Sequence, residues 1–205
     1  MARTDREGDP ILNDPLTPRD VGRILQVARG RRHVHADRDH ALLLLLAESG
    51  CRVSEGIELR PSDFRWKEGS VIVHRRKVRR GKPEQRVYLG RRAILALRAY
   101  IRRNRIPEDG YCFPALEFFK PSENRERHIS VRMAQHIWHR TLREAGTERR
   151  RLHELRHAAG IRLWNGTHDL VFVARQLGHR DPREAMRYMN HDGEHNRNLA
   201  DRAAL

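Results

Sequence analysis

At 205 residues the chain fits one domain, with room for short arms, and is long enough to bury a core of its own. Lys and Arg number 42 against 27 Asp and Glu, a formal charge of +15 with a pI near 11.1, which calls for a polyanionic partner, nucleic acid ahead of an acidic membrane surface. Two cysteines are too few for a disulfide framework or a cysteine zinc site, the apolar run Ala41–Ala47 is too short to span a bilayer, and the polar opening MARTDREGDP has no cleavable signal pattern, so a cytoplasmic protein is expected.

Taken in chain order, the sequence predicts a mainly α protein with a small antiparallel β-sheet, an α+β architecture. Residues 1–15 lack hydrophobic periodicity and are expected to be a loose arm. LTPRDVGRILQVARG starts a helix with Thr17 as cap, Pro18 in its first turn, and Val21, Ile24, Leu25 and Ala28 as its apolar stripe. Asp37 is the candidate cap of a second helix, apolar all round at ALLLLLA and therefore buried, which Gly50 closes. A short helix is expected over 54–60, stopped by Pro61.

The periodicity then changes. SVIVH and QRVYLG read as two strands joined by KVRRGKPE, with 63–66 as a candidate third, antiparallel neighbour. Between Arg75 and Arg92 stand nine basic residues against one acid, Glu84, a density that a merely soluble hairpin does not need. Arg75, Arg76, Arg79, Arg80 and Lys82 are expected to contact a polyanion. ILALRAYI continues a helix to about Asn104, and a loop with Tyr111–Phe113 extended follows to Glu126. Ser130 caps VRMAQHIWHRTLREAG, with Met133, Ile137 and Trp138 on one side and Gly146 at its end. Three more helices are expected: one at HELRH, one within DLVFVARQL ending at Gly178, and one opened by Asp181 and Pro182.

His153, Glu154 and His157 form an H-E-x-x-H string, with Gly160 where the extended zinc-peptidase pattern wants its glycine. Two histidines at i and i+4 share a helix face, but the third-ligand position holds Leu163, and Arg156 would bring a guanidinium to the face of the dication. A peptidase also leaves the charge of +15 without a purpose. Another reading uses more of the chain. Arginines and histidines beside a late tyrosine make a phosphoryl-transfer site in which fixed cations stabilise the nonbridging oxygens. The candidates are Arg52 in SGCRVSE, Lys77 in the hairpin, His153 and Arg156 in HELRH, His179 in LGH and Tyr188 in MRYMN.

With these residues in place the chain resembles the tyrosine recombinases of the lambda-integrase family. GCRVSEGIEL resembles the family's G-x-R-x-S-E-x-x-x-L box, HELRHAAG its H-x-L-R-H box, and QLGHRDPREAMRYMN its L-G-H box followed nine residues later by the nucleophilic tyrosine. The resemblance covers roughly 16–190. It implies that Tyr188 attacks a scissile DNA phosphate to form a 3′-phosphotyrosyl bond, with His153 as general base, Arg52 and Arg156 clamping the phosphate, and His179 adding a hydrogen bond. A hairpin lysine, Lys77 or alternatively Lys82, would protonate the leaving 5′ oxygen, Glu55 would hold the cationic side chains, and His157 would support the site. No cofactor and no metal are implied.

Most members carry a further helical DNA-binding domain ahead of the catalytic one. The resemblance is therefore to the short form, with an arm at 1–15, a catalytic domain at 16–190 and a tail at 191–205 through which protomers would dock. The partners expected are double-stranded DNA, further copies of the chain as a dimer or tetramer on DNA, and an accessory DNA-binding protein, with no membrane. Integration, excision, inversion and resolution all fit this chemistry. A DNA-binding regulatory relative, a nicking-resealing enzyme like a type IB topoisomerase, and the zinc peptidase are the alternatives.

Overall fold

The computed structural model describes residues 15–75, 84–115, 127–179 and 181–191, together with Arg197 and Asp201. Nearly all of the expected N-terminal arm and most of the C-terminal tail lie outside the described residues. The elements, in order, are α1 (Pro18–Gly30), α2 (Ala36–Ser49), α3 (Val53–Gly56), a 3-10 turn (Pro61–Asp63), β1 (Phe64–Arg65), β2 (Ser70–His74), β3 (Glu84–Tyr88), α4 (Arg91–Arg103), α5 (Val131–Glu144), α6 (Glu154–Thr167), α7 (Leu170–Leu177) and a closing 3-10 helix (Pro182–His191).

The helix boundaries follow local chemistry. Thr17 and Asp20 form a capping box at the start of α1, Ser130 accepts from the Met133 amide to open α5, and Asp169 accepts from the Phe172 amide to open α7. Gly50 and Gly178 stop α2 and α7 in the left-handed region, at φ of 63° and 68°, which a side chain would disfavour. The second helix begins at Ala36 rather than after Asp37. His35 is its N-cap residue but does not cap with its side chain, and Asp37 and Asp39 instead place negative charge in the first turn. The helix expected over 54–60 is a single turn, Val53–Gly56, and Pro61 follows with the residue before it, Arg60, in extended backbone. The last helix is 3-10 throughout.

Helix α2 is the hub: Leu42, Leu43, Leu45 and Leu46 are all buried, and α1, α4 and α6 pack against it. The main core adds Val71, Val73 and Val87 of the sheet, Leu97 and Ile101 of α4, and Ile137, Trp138 and Leu142 of α5. Met133 is exposed, and Ala134 takes its place in the buried stripe of α5. The sheet order is β1-β2-β3 and both pairings are antiparallel, with Phe64 opposite Val71 and Val71 opposite Val87. The third strand anticipated over 63–66 is thus present, over two residues.

A second, smaller cluster lies toward the C-terminus. Ile161 and Trp164 of α6, Val173, Ala174 and Leu177 of α7, and Ala185 and Tyr188 of the 3-10 helix pack together there. Helix α6 serves both clusters, since Leu155 and Ala158 belong to the main core. Helix α7 is tied to the sheet by Gln176, whose side-chain amide accepts from the Tyr88 N–H at 3.0 Å and donates to the Tyr88 carbonyl.

Candidate active site

The site forms where the end of α2, the start of α6 and the end of α7 converge. Gly50 is the pivot. Its carbonyl accepts from Arg156 Nη1 at 2.7 Å, and a Cβ at this position would fall 2.5 Å from Leu177 Cδ2 and 3.1 Å from Ala159 Cβ. The glycine therefore serves both the left-handed turn and the close approach of α6 and α7. Immediately after it, Arg52 heads α3. The Glu55 carboxylate accepts from the Arg52 amide at 2.8 Å and from Arg52 Nη1 at 2.9 Å.

Arg52 is about half exposed, whereas Glu55 and Arg156 are buried. Burial opposes ionisation of Glu55, but hydrogen bonds and charge from Arg75, then from Arg52, outweigh it and hold the carboxyl below its usual range. Burial, with Arg52 and Arg75 nearby, pushes Arg156 down to about 10, which leaves it cationic at neutral pH. The two arginines of the first and second boxes thus feel each other across a site that contains one buried carboxylate.

The histidines gather around the same charges. His153 is exposed at the N-cap of α6, and desolvation, followed by Arg156, Arg151 and Arg52, pushes its imidazole down to about 4. His179 follows the glycine that ends α7; its backbone N–H bonds to the Ala174 carbonyl, and desolvation and then Arg156 push its ring to about 4 as well. Both rings are neutral near pH 7, so each has one nitrogen able to accept a proton and one able to donate.

Tyr188 is buried, 3% exposed, in a cradle formed by α6 and the end of α7. Its ring stacks on His179 at 6.0 Å between centroids and meets His157 at 5.3 Å. Beneath it lies Gly160, where a Cβ would fall 2.4 Å from the Tyr188 Cζ. Burial raises the phenol pKa, and Arg156 and Arg187 oppose that rise. Glu154, the central residue of the H-E-x-x-H string, is engaged at the start of its own helix, accepting from Arg150 Nη1 at 3.1 Å and the Arg151 amide at 3.2 Å.

The structure thus brings Arg52, Glu55, His153, Arg156, His157, His179 and Tyr188 into one region. Arg76, Lys77, Arg79, Arg80 and Lys82 lie outside the described residues. Arg75 departs from expectation: it is 9% exposed and bonded inside the protein to Glu55, Gln85 and the Leu177 carbonyl, not displayed on the basic face. Strand alternation carried the signal, because Val71, Val73 and Arg75 fall on the same buried face. Gly160 was legible only as part of a zinc pattern, although a glycine inside a helix is itself a mark of close approach.

The Phage integrase family model matches residues 15–195. The tyrosine recombinase XerD of Yersinia pestis is 32% identical over 193 residues, covering 86% of this chain and 60% of that protein. XerC of Pseudomonas aeruginosa is 32% identical over 217 aligned positions, covering 97% of this chain and 67% of the relative. The crystal structure of XerA recombinase superposes with a TM-score of 0.74 at 20% identity, over 96% of this chain and 67% of that one. XerH recombinase bound to difH substrate superposes with a TM-score of 0.68 at 18% identity, over 91% of this chain and 56% of that one. The chain therefore spans about three fifths of the length of the Yersinia relative. With both its sequence and its fold matching, the chain belongs to the phage integrase family of tyrosine recombinases.

Proposed function

We propose that this chain is the strand-transfer unit of a site-specific DNA recombinase. The observation that carries the reading is the packing of Tyr188 against His179 and His157, within reach of the Arg156 charge, in a chain of net charge +15. Tyr188 Oη attacks the scissile phosphorus, the bond to the 5′ oxygen breaks, and a 3′-phosphotyrosyl link remains. His153, neutral at pH 7, takes the phenolic proton. Arg52 and Arg156 bind the nonbridging oxygens, where planar guanidinium forks stabilise the extra charge of the pentacoordinate state. His179 donates to the same phosphate. Lys77, or Lys82, protonates the 5′ oxygen as it leaves. The phosphotyrosyl bond retains the energy of the broken phosphodiester, so attack by another 5′ hydroxyl reseals the strand without ATP.

Tyr188 reaches DNA only by leaving its cradle, so the reaction begins with displacement of the closing 3-10 helix. Double-stranded DNA is the substrate, in keeping with the XerH complex with difH. Paired cuts in two duplexes require several copies of the chain, and the tail beyond residue 190 is the segment through which they would dock. An accessory DNA-binding protein would add affinity.

A library of nicked duplexes with randomised sequence tests this reading. Wild-type protein in EDTA is expected to capture a sequence-defined subset as covalent adducts, and Tyr188→Phe to capture none. Stoichiometric zinc with peptide cleavage and no adduct would overturn it. Adducts that reseal only their own strand, never a second duplex, would instead identify a nicking-resealing enzyme.

A further inference from the structure

Arg75 uses its guanidinium to join three parts of the site. Its Nε and Nη2 donate to Gln85 Oε1 at 2.9 and 2.7 Å, its Nη1 donates to Glu55 Oε2, and its Nη2 also donates to the Leu177 carbonyl at 3.1 Å. Glu55 in turn holds Arg52, and Leu177 ends the helix that delivers His179. Gln85 lies on β3, on the far side of the segment that carries Lys77 and Lys82. The packing is built around this group: a Cβ on Gly178 would fall 2.2 Å from Gln85 Oε1 and 2.3 Å from Arg75 Nη2.

A buried ion pair is a weak source of net stability, because desolvating two charges consumes most of what their attraction returns. What it supplies here is geometry. Glu55 Oε2 is shared between the Arg52 amide and Arg75, which leaves Oε1 alone to meet the Arg52 guanidinium. Without Arg75, only the Arg52 amide restrains Oε2, and the carboxylate can turn further toward the Arg52 fork, the favoured bidentate pairing, and draw it away from a phosphate. We propose that Arg75 is a positioning residue for strand transfer: by sharing Glu55 with Arg52 and holding the Leu177 carbonyl beside His179, it sets these two phosphate-binding groups relative to each other. This inference rests on the reading of the site as a strand-transfer centre.

The test uses full-length protein and the nicked duplex that the wild-type chain captures best, prepared with either a normal or a methylphosphonate linkage at the scissile position. Arg75→Ala is expected to bind the duplex normally but to form adduct about 10- to 100-fold more slowly, the usual scale for residues that orient others. On the methylphosphonate, which lacks the charge that Arg52 meets, most of that deficit disappears. Gln85→Ala, which keeps the buried charge pair and guards against misfolding of the first variant, is expected to slow the reaction by about 3- to 10-fold with the same pattern. Wild-type rates in both variants, or an equal deficit on the two linkages, overturn the proposal.

NMR of the DNA-free protein decides the matter independently of cleavage. The Arg52 Nε–H and His179 ring signals should shift or broaden in the variants while the α1, α2 and α4 amides stay in place; unchanged Arg52 and His179 signals refute the role of Arg75. If the wild-type chain forms no adduct with any duplex, the strand-transfer reading is what fails, and the spectra still report on Arg75.

Discussion

The two apolar clusters meet on α6 but differ in size and in what they hold. The main core wraps α2 on several sides with α1, α4, α5 and the sheet, and its leucines and valines are almost completely buried. Among the described residues the C-terminal cluster contains seven buried residues, one of which is Tyr188, the proposed nucleophile. In the proposed reaction, the side chain that has to move is thus housed in the smaller cluster, packed against α6 and α7 and not against the main core. Arg52 and Arg156, the proposed phosphate-binding pair, are anchored at the edge of the larger one through Glu55 and the Gly50 carbonyl. Regions that move in function are drawn from the weakly stabilised end of a fold, and here the division runs along a single helix.

The largest test of this contrast removes support from the main core. Leu45→Ala should cost about 2–5 kcal/mol and lower the midpoint of global unfolding by urea. A loss confined to the C-terminal segment, with the rest of the chain unaffected, would contradict the division. Gly160→Ala acts on the other side. Alanine gains about 0.5–1 kcal/mol in a helix interior, while overpacking against the Tyr188 ring costs about 1–3 kcal/mol. The inexpensive resolution is for the 3-10 helix to lift away, which keeps the helical gain and loses only local contacts. Global stability should then change by less than about 1 kcal/mol, while amide exchange and proteolysis accelerate over 182–191. A large fall in global stability with no local opening would show that the two clusters are a single cooperative unit.

Acid should produce the most graded effect. His153 and His179 are pushed down to about 4 in the folded chain, below the ordinary histidine value of about 6.5. The unfolded chain therefore binds more protons between those values, so the stability linked to the neutral rings is fully present above pH 6.5 and is lost as pH falls toward 4. Glu55, whose carboxyl is held low, adds stability above its unfolded value that disappears on further acidification. Amide exchange in the C-terminal cluster should rise before that of α2 as the pH drops, and His179→Asn should flatten part of the slope of the urea midpoint. Identical pH profiles for the two regions would remove the distinction.

Several helix boundaries were legible in the sequence because local chemistry writes them: Thr17, Ser130 and the glycines at 50 and 178 are found in the expected positions. What escaped depended on tertiary context. His35, not Asp37, precedes α2; Met133 points outward because Ala134 meets the core; and the last helix is 3-10. The positions of Arg52, Arg156, His179 and Tyr188 relative to one another are set by Gly50 and Gly160, and nothing in their linear spacing states it. Arg75 is the instructive case. Its charge suggested a surface role, while the two-residue period of the strand placed it inside.

The pairing of Gln176 with Tyr88 has a consequence for solubility. Among the described residues β3 is an edge strand, and an edge with unpaired N–H and C=O groups is a template on which another chain can add a strand. The Gln176 amide satisfies both backbone groups of Tyr88, so one side chain acts as a short strand of its own and blunts that edge. The contact that fastens α7 to the sheet therefore also removes one point at which another strand could pair with a strongly basic protein.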